Sequence, residues 1–538
     1  MQLNLLMNKW IPVRVKSGRR KTIAPWELTV EYAEDPVLKL DFPRADLNSG
    51  LIQFLIGVIQ TCFCPESVFQ WQRFYDNPPE SGLLREVLEK EADAFELAGE
   101  GPRFMQDLTL PQEKKKSEVF VKGLFIDEPG DNTLKENKDF FVKRGRIESI
   151  CPSCVAAALY TLQANAPSGG QGNRTSLRGG GPLTTLILGR TLWETIWFNV
   201  LDRSQLESLP CDVTQPRKGG CYPWLAQTET SEGGRGTNPS QKQPLHVYWA
   251  MPRRIRLIFD RIEQGKCDVC GVETNIAVTR YWSKNLGYNY IGPWEHPLTP
   301  YSKEGQNEPY SMKGSPSGIR YRSWLGLVER SQEGASVERI PARVVTVFRD
   351  QRALSARESG APDYRVWACG FDMENMKARS WVEGIVPVYE ISKDLRPKYS
   401  AWIERYIQCA HSVANNLRKA VKDGIFDGKR NVKPNNSLLN ALDLRFWSDT
   451  EQQFYQTLRG LRDSLEGGMD APSVEDRRNW LLSLFRQAHV FFDEAVGRGE
   501  FEAEKHRRVA LAWDQLRRYN SLRNRYFRDT MDLPKKAS

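Results

Sequence analysis

The 538-residue sequence carries few of the signatures that mark an enzyme. It has no HExxH, no GxxxxGK[ST] and no GxSxG, so zinc-protease, P-loop and α/β-hydrolase chemistry have no local motif to rest on. No HxE precedes a PCxxC, which a zinc deaminase requires. Histidine is scarce, and the five present are scattered, none at ligand spacing from another. Long apolar runs are also missing. The most apolar one, "LIQFLIGVIQTCF" at 51–63, is too short for a bilayer and carries Gln53 and Gln60; it predicts a buried helix capped near Asp46. In "MQLNLLMNKWIPV" no basic stretch leads into an apolar core, so the expectation is a cytoplasmic protein with no secretory signal and no membrane partner. The charge excess of +9 is small for this length, so local basic patches define the partners more than the total does. In a reducing compartment the ten cysteines argue for free thiols or metal ligands over a disulfide framework.

What is present predicts an α+β chain in two parts. Residues 1–390 mix short strands, helices and loops: "NKWIPVRV" alternates like an edge strand and "PLTTLILG" at 182–189 reads as a buried one. The stretches 230–244 and 302–318 read as mobile insertions. Residues 391–538 predict a four-helix bundle. Trp402, Tyr406, Ala410, Val413 and Leu417 recur at three- and four-residue steps. Ser448 and Glu451 suggest a capping box before Phe454, Leu458, Leu461 and Leu465, and Ser473 is a candidate cap for the next helix. This part carries about +7 of the net charge, either as a solvated face or as one turned toward nucleic acid or a nucleic-acid-bound partner.

Three stretches carry chemistry. "CPSC" and "CDVC" supply Cys151, Cys154, Cys267 and Cys270, two thiolate pairs that together complete a closed tetrahedral Zn2+ site. The knuckles are about 112 residues apart, so such an ion clips distant segments together, and four thiolates leave no open position for a catalytic water. Coincidental reduced cysteines are the plainer alternative. "QANAPSGGQGNRTSLRGGGP" at 163–182 is acid-free, with six glycines plus Arg174 and Arg178; it suits either an anion cradle or a surface turn that needs positive φ. "KDFFVKRGR" at 138–146 interleaves Phe140 and Phe141 with Lys143, Arg144 and Arg146, fit to stack on bases and hold phosphates, or to form a strand with a solvated basic face.

Taken together, "NKWIPV", "PRADL", "PRFMQ", "PGDNTLKENKDFFVKRG", "CPSC", "NAPSGGQGNRTSLRGGGPLTT", "CDVCG", "GPWEHP" and "CGFDMENMKARSW" resemble, in order over most of residues 1–385, the large subunit (CasA type) of the type I-E CRISPR surveillance complex Cascade. The resemblance implies a non-catalytic subunit at the crRNA 5′ handle. It would sit among backbone, handle-binding and small Cascade subunits, recognise the protospacer-adjacent motif (PAM) in double-stranded DNA, begin strand separation, and recruit a helicase–nuclease. It maps the PAM loop to Ser168, Gly169, Gly170, Gln171 and Gly172, with Arg174 adjoining. It places the family's lysine finger at Asn285, a departure, with Lys284 beside it as the alternative finger. The strand-separating wedge falls on Glu374, Asn375 and Met376, and the handle contact on Phe141 with Lys143 and Arg144. The competing expectation is a zinc-stabilised nucleic-acid-modifying enzyme or nuclease with an unrecognised active site.

Overall fold

The structure is a computed structural model that describes residues 3–137, 144–316, 318–331, 336–353, 356, 364–374, 376–426, 437–496 and 503–534. It divides into two compact units, one of Met1–Gly314 with Ala342–Val382 and one of Ser315–Pro341 with Glu383–Ser538. The second unit therefore draws on residues 315–341, which the division of the sequence at 390 leaves with the first. No helix among the described residues is long and apolar enough to cross a membrane.

The first unit is built on the helix Ala45–Cys62, which is apolar on every side and correspondingly buried on every side. Its N-cap is Arg44, without a side-chain cap; Asp46 lies in the first turn, held by the Arg44 guanidinium at 2.8 and 3.0 Å. The two glutamines are satisfied inside the core. Gln53 accepts from Arg178, and Gln60 exchanges hydrogen bonds with the backbone of Leu201. Helix Pro152–Asn165 crosses this helix so closely that a Cβ at Gly50 would lie 2.0 Å from the Thr161 hydroxyl. Around Phe54 the rings of Trp10, Phe95, Phe104, Tyr160 and Trp249 meet edge-on at 5.6–6.2 Å.

Small antiparallel sheets surround this core. Strand Ile11–Val15 pairs with Arg20–Ile23 on one side and Val37–Leu40 on the other, so it is central in its sheet and not the edge strand expected; Ile11, Val13 and Val15 are buried in the alternation the sequence shows. Strand Thr184–Leu188 is buried as expected and pairs with Tyr364–Glu374 in the register Cys369↔Thr184 to Arg365↔Leu188. Two long strands, Arg254–Lys266 and Glu273–Lys284, form a hairpin, with Ser117–Phe120 added at its edge. The two expected insertions form local structure instead: Asn238 and Gln241 close a short 3₁₀ turn, and Tyr301–Glu304 pairs with Tyr310–Ser311.

The second unit is helical. Trp402, Tyr406, Ala410, Val413 and Leu417 all lie on the buried side of Arg396–Phe426. Phe454, Leu458, Leu461 and Leu465 do the same for Glu451–Glu466. The expected Ser448–Glu451 capping box does not form: Ser448 belongs to a separate helix, Ser437–Asp449, and Thr450 occupies the N-cap with its hydroxyl donating back to the Phe446 carbonyl instead of capping. Ser473 does cap Val474–Val496, its hydroxyl accepting from the Asp476 amide at 3.0 Å. The chain continues through Ala503–Tyr519 and a short helix, Arg525–Thr530. From residues 315–341, Tyr321 is fully buried against Phe454 at 4.3 Å and Trp447 at 4.9 Å, its hydroxyl on Thr450 at 2.8 Å.

Candidate functional site

The four cysteines of the two CxxC motifs meet. Their sulfur atoms all lie within 4.8 Å of one another, with Cys151, Cys154 and Cys267 buried and Cys270 half-buried. Cys151 Sγ is 3.7 Å from Cys270 Sγ. That exceeds a disulfide bond of about 2 Å. It matches the edge, about 3.8 Å, of a tetrahedron with metal–sulfur arms of about 2.3 Å. Local geometry explains the arrangement. Pro152 starts a helix with Cys151 as its N-cap, which turns Cys154 back toward the same side. Cys267 opens the tight turn of the long hairpin, where Gly271 takes φ +74° and its amide donates to the Cys267 carbonyl at 2.9 Å. Asp268 then staples the knuckles, its carboxylate accepting from the Glu148 and Ser149 amides at 2.8 Å each. The charge is shared unevenly: hydrogen bonds from Cys151 and Cys154 draw the Cys270 thiol down to about 7 and lower Cys267, while Cys151 and Cys154 are pushed up by the same contacts. Four sulfur atoms at this spacing can hold a metal cation, which would draw all four to the thiolate on binding.

Each knuckle leads into one candidate contact loop, and the two loops meet. After helix Pro152–Asn165 the chain enters residues 166–182, where Gly170 and Gly172 have φ of +49° and +81°. After strand Glu273–Lys284 come Asn285 and Leu286. Asn285 Nδ2 donates to the Gln171 carbonyl at 2.7 Å, and the Leu286 amide donates to the Gly172 carbonyl at 2.8 Å. A Cβ at Gly172 would stand 3.0 Å from Asn285 Cβ, so this approach requires glycine. Gly170, Gln171 and Asn285 are exposed, while Ser168, Gly169 and Gly172 are half-buried.

The two finger candidates separate clearly. Lys284 is half-buried and ion-paired with Glu113 at 2.6 Å, a carboxylate that also accepts from Arg254 at 2.9 Å. Hydrogen bonds from Lys284 and Arg254 hold Glu113 down at about 2. Asn285 projects at the surface. Of the loop arginines, Arg174 donates to Ser231 Oγ at 2.9 Å. Arg178, one of the two cations of the anion cradle that the sequence suggests, is 5% exposed and donates to Gln53, Ala164, Asn165, Thr184 and Thr299; it organises the loop from inside the core.

The wedge segment is the tip of a hairpin between strands Tyr364–Glu374 and Lys377–Val388. Its first strand pairs with Thr184–Leu188, which follows the glycine-rich loop directly, and a Cβ at Gly181 would lie 2.3 Å from Met373 Cγ. Met376 is 59% exposed with φ +69°, and Glu374 is exposed; Asn375 lies outside the described residues. Arg379, which the sequence reading passed over, binds Asp372 through both carboxylate oxygens at 2.8 and 2.9 Å and Glu374 at 2.7 Å. The Glu374 charge is thus matched within the hairpin. Phe141 and Lys143 also lie outside the described residues; Arg144 is exposed and donates to the Leu134 carbonyl and Asn137 Oδ1.

Comparison with known proteins agrees with this architecture. The chain is similar to the structure of Thermus thermophilus CasA (Cse1), with TM-score 0.68 and 16% identity over 96% of this chain and 99% of that one. Cse1 from Acidimicrobium ferrooxidans matches at TM-score 0.66 and 14% identity over 99% of both chains. A chain of a CRISPR RNA-guided surveillance complex matches at TM-score 0.67 and 15% identity, over 96% of this chain and 99% of that one. The family model of CRISPR-associated protein Cse1 matches residues 4–490, and the chain belongs to that family.

Proposed function

We propose that the chain is the non-catalytic large subunit of a type I-E Cascade, which recognises the PAM in duplex DNA, starts strand separation for the R-loop and recruits the helicase–nuclease. One observation carries this reading: the glycine-rich loop, Asn285 and the wedge hairpin are joined through the Asn285–Gln171 hydrogen bond, the Gly181–Met373 contact and the Thr184–Leu188 strand pairing. Exposed backbone at Gly170 and Gln171 beside an amide suits the minor groove, whose code is shallow and whose shape is read by close approach. Asn285 is the finger in this reading, and Lys284 anchors it through Glu113. Met376 is the apolar insert of the wedge, and Arg379 keeps Glu374 from repelling phosphates.

The four cysteines would hold one structural Zn2+, which supplies a cross-link between the segments that launch both loops. Residues 138–146 face the crRNA 5′ handle in this assignment, and the helices from residue 396 onward, five long and one short among the described residues instead of the four expected, offer a basic face to displaced DNA or neighbouring subunits.

The test uses Cascade assembled with this chain and a fluorescent base analogue at the first protospacer position. Replacing Asn375 and Met376 with glycine should slow unstacking on PAM-bearing duplex and leave PAM-dependent binding to a pre-melted bubble intact. Equal losses on both substrates, or divalent-metal-dependent cleavage by the pure chain alone, would overturn the assignment.

A further inference from the structure

Arg253 lies at the junction of the two contact loops with most of its hydrogen-bonding capacity unused. Its backbone is clamped by Gln163, whose side chain accepts from the Arg253 amide at 3.0 Å and donates to its carbonyl at 2.9 Å. The guanidinium reaches under the glycine-rich loop, where Nη2 donates to the Pro167 carbonyl. A Cβ at Gly169 would stand only 3.5 Å from Nη2 and 3.8 Å from Nη1, so the loop crosses the fork with no side chain of its own in between. On the other side, Gly287, two residues past Asn285, lies against Pro252: a Cβ there would be 2.1 Å from the Pro252 carbonyl. Both loops therefore fix where this guanidinium sits.

Arg254 beside it and Arg178 in the glycine-rich loop are engaged more fully, whereas Arg256 likewise bonds only to backbone carbonyls, those of Glu100 and Gly101. A guanidinium has five N–H donors to place. Arg254 gives its donors to the Asp107 and Glu113 carboxylates at 2.6 and 2.9 Å. Arg178 has five polar partners and is closed off from solvent. Among the described residues, half-buried Arg253 has the Pro167 carbonyl as its one side-chain hydrogen-bond partner, its buried Nε has none, and no carboxylate pairs with it. Burial pulls the group down to about 10, so it stays cationic at neutral pH. A partly desolvated cation with open donors is favourable only when an anion completes it.

We infer that Arg253 is a phosphate-binding residue of the duplex-recognition surface, and that a backbone phosphate of the target DNA seats over Gly169 on its open fork. The inference rests on the proposed duplex reading, and it adds a second cation beside Arg174, which donates to Ser231: Lys284 is neutralised by Glu113, and Asn285 and the glycines carry no charge. A planar fork presenting two parallel N–H groups suits a phosphate better than a point charge does. Because a phosphate contact carries no base information, Arg253 would strengthen binding to every flanking sequence alike, leaving discrimination to the loop and Asn285.

The experiment compares Cascade complexes containing the wild-type chain, Arg253→Gln or Arg253→Lys, binding a duplex with the flanking motif that the wild type selects from a randomised library. Arg253→Gln should weaken binding to selected and unselected duplexes by the same factor and lower the slope of log affinity against log salt by about one. Arg253→Lys should recover most of that slope. Replacing flanking phosphates one at a time with neutral methylphosphonate should reveal one position that weakens the wild type and leaves Arg253→Gln unaffected. An unchanged salt slope, with a lowered melting temperature and no phosphate position coupled to Arg253, would overturn the inference and make the residue a prop for Pro167. A wild-type complex whose duplex binding is independent of this subunit would instead overturn the duplex reading itself.

Discussion

At the residue scale the interface is assembled by small groups and by charges that cancel locally. Gly172 takes φ +81° with Asn285 closing on it, and Gly181 takes φ +66° against Met373, backbone that strains any residue with a Cβ. Lys284 and Glu374, two of the charges that the sequence sets toward DNA, are each engaged by a neighbour from another position, Glu113 and Arg379. The Glu113 network gives a pH signature. Its carboxyl is depressed in the folded chain from 4.5 to about 2, chiefly by Lys284 and then Arg254, so its contribution to stability is complete above 4.5 and disappears as pH falls toward 2. Melting temperatures of the wild type and Glu113→Gln should therefore differ by a constant amount above that window and converge below it. A difference that persists to the acid end would mean that Glu113 acts through packing instead.

At the scale of elements, the long hairpin and helix Pro152–Asn165 are launched from one cysteine cluster, and each delivers a contact loop. Pure protein should contain about one zinc per chain, and Cys267→Ser should lose it along with ordered positioning of residues 168–172 and 285. Elemental analysis paired with duplex binding checks this, and a well-folded metal-free preparation that binds duplex normally would refute it. The pairing of knuckles was legible in sequence because CxxC is a local spacing with a fixed chemical consequence. The docking of Asn285 on Gln171 was not, because it depends on where a twelve-residue strand ends relative to a loop some 114 positions away.

For the whole molecule, the segment Ser315–Pro341 decides how the chain can be divided. Tyr321 and Trp324 are buried in the helical unit, Tyr321 stacked on Phe454 and Trp324 donating to the Pro387 carbonyl at 3.4 Å. A chain ended at residue 390 keeps both aromatics and loses Phe454, Trp447 and Trp480. It should aggregate, and Tyr321→Ser with Trp324→Ser should restore solubility, as measured by sedimentation and by retention of zinc. Equal solubility with and without these substitutions would show that residues 315–341 find cover in the shorter chain. In the full-length protein Tyr321→Ala should cost about 3–5 kcal/mol, in the range for removing a large buried aromatic.

Sequence alone determined what short-range chemistry can specify. The helix Ala45–Cys62, the buried strand after the glycine-rich loop, the Ser473 cap and the thiolate pairs all follow from period, composition and spacing within a few residues. It misjudged the Ser448 capping box and the exposure of Arg178, where a local pattern competes with distant partners. Ser448 was taken up by its own helix, and Arg178 found Gln53 on the central helix. Tertiary structure alone decided which cations remain open. Burial and pairing are sums over elements far apart in the chain, so Lys284, Arg174 and Arg178, alike as charges in the sequence, became an anchor, a loop strut and a core post, while Arg253 holds the Pro167 carbonyl and pairs with no carboxylate among the described residues.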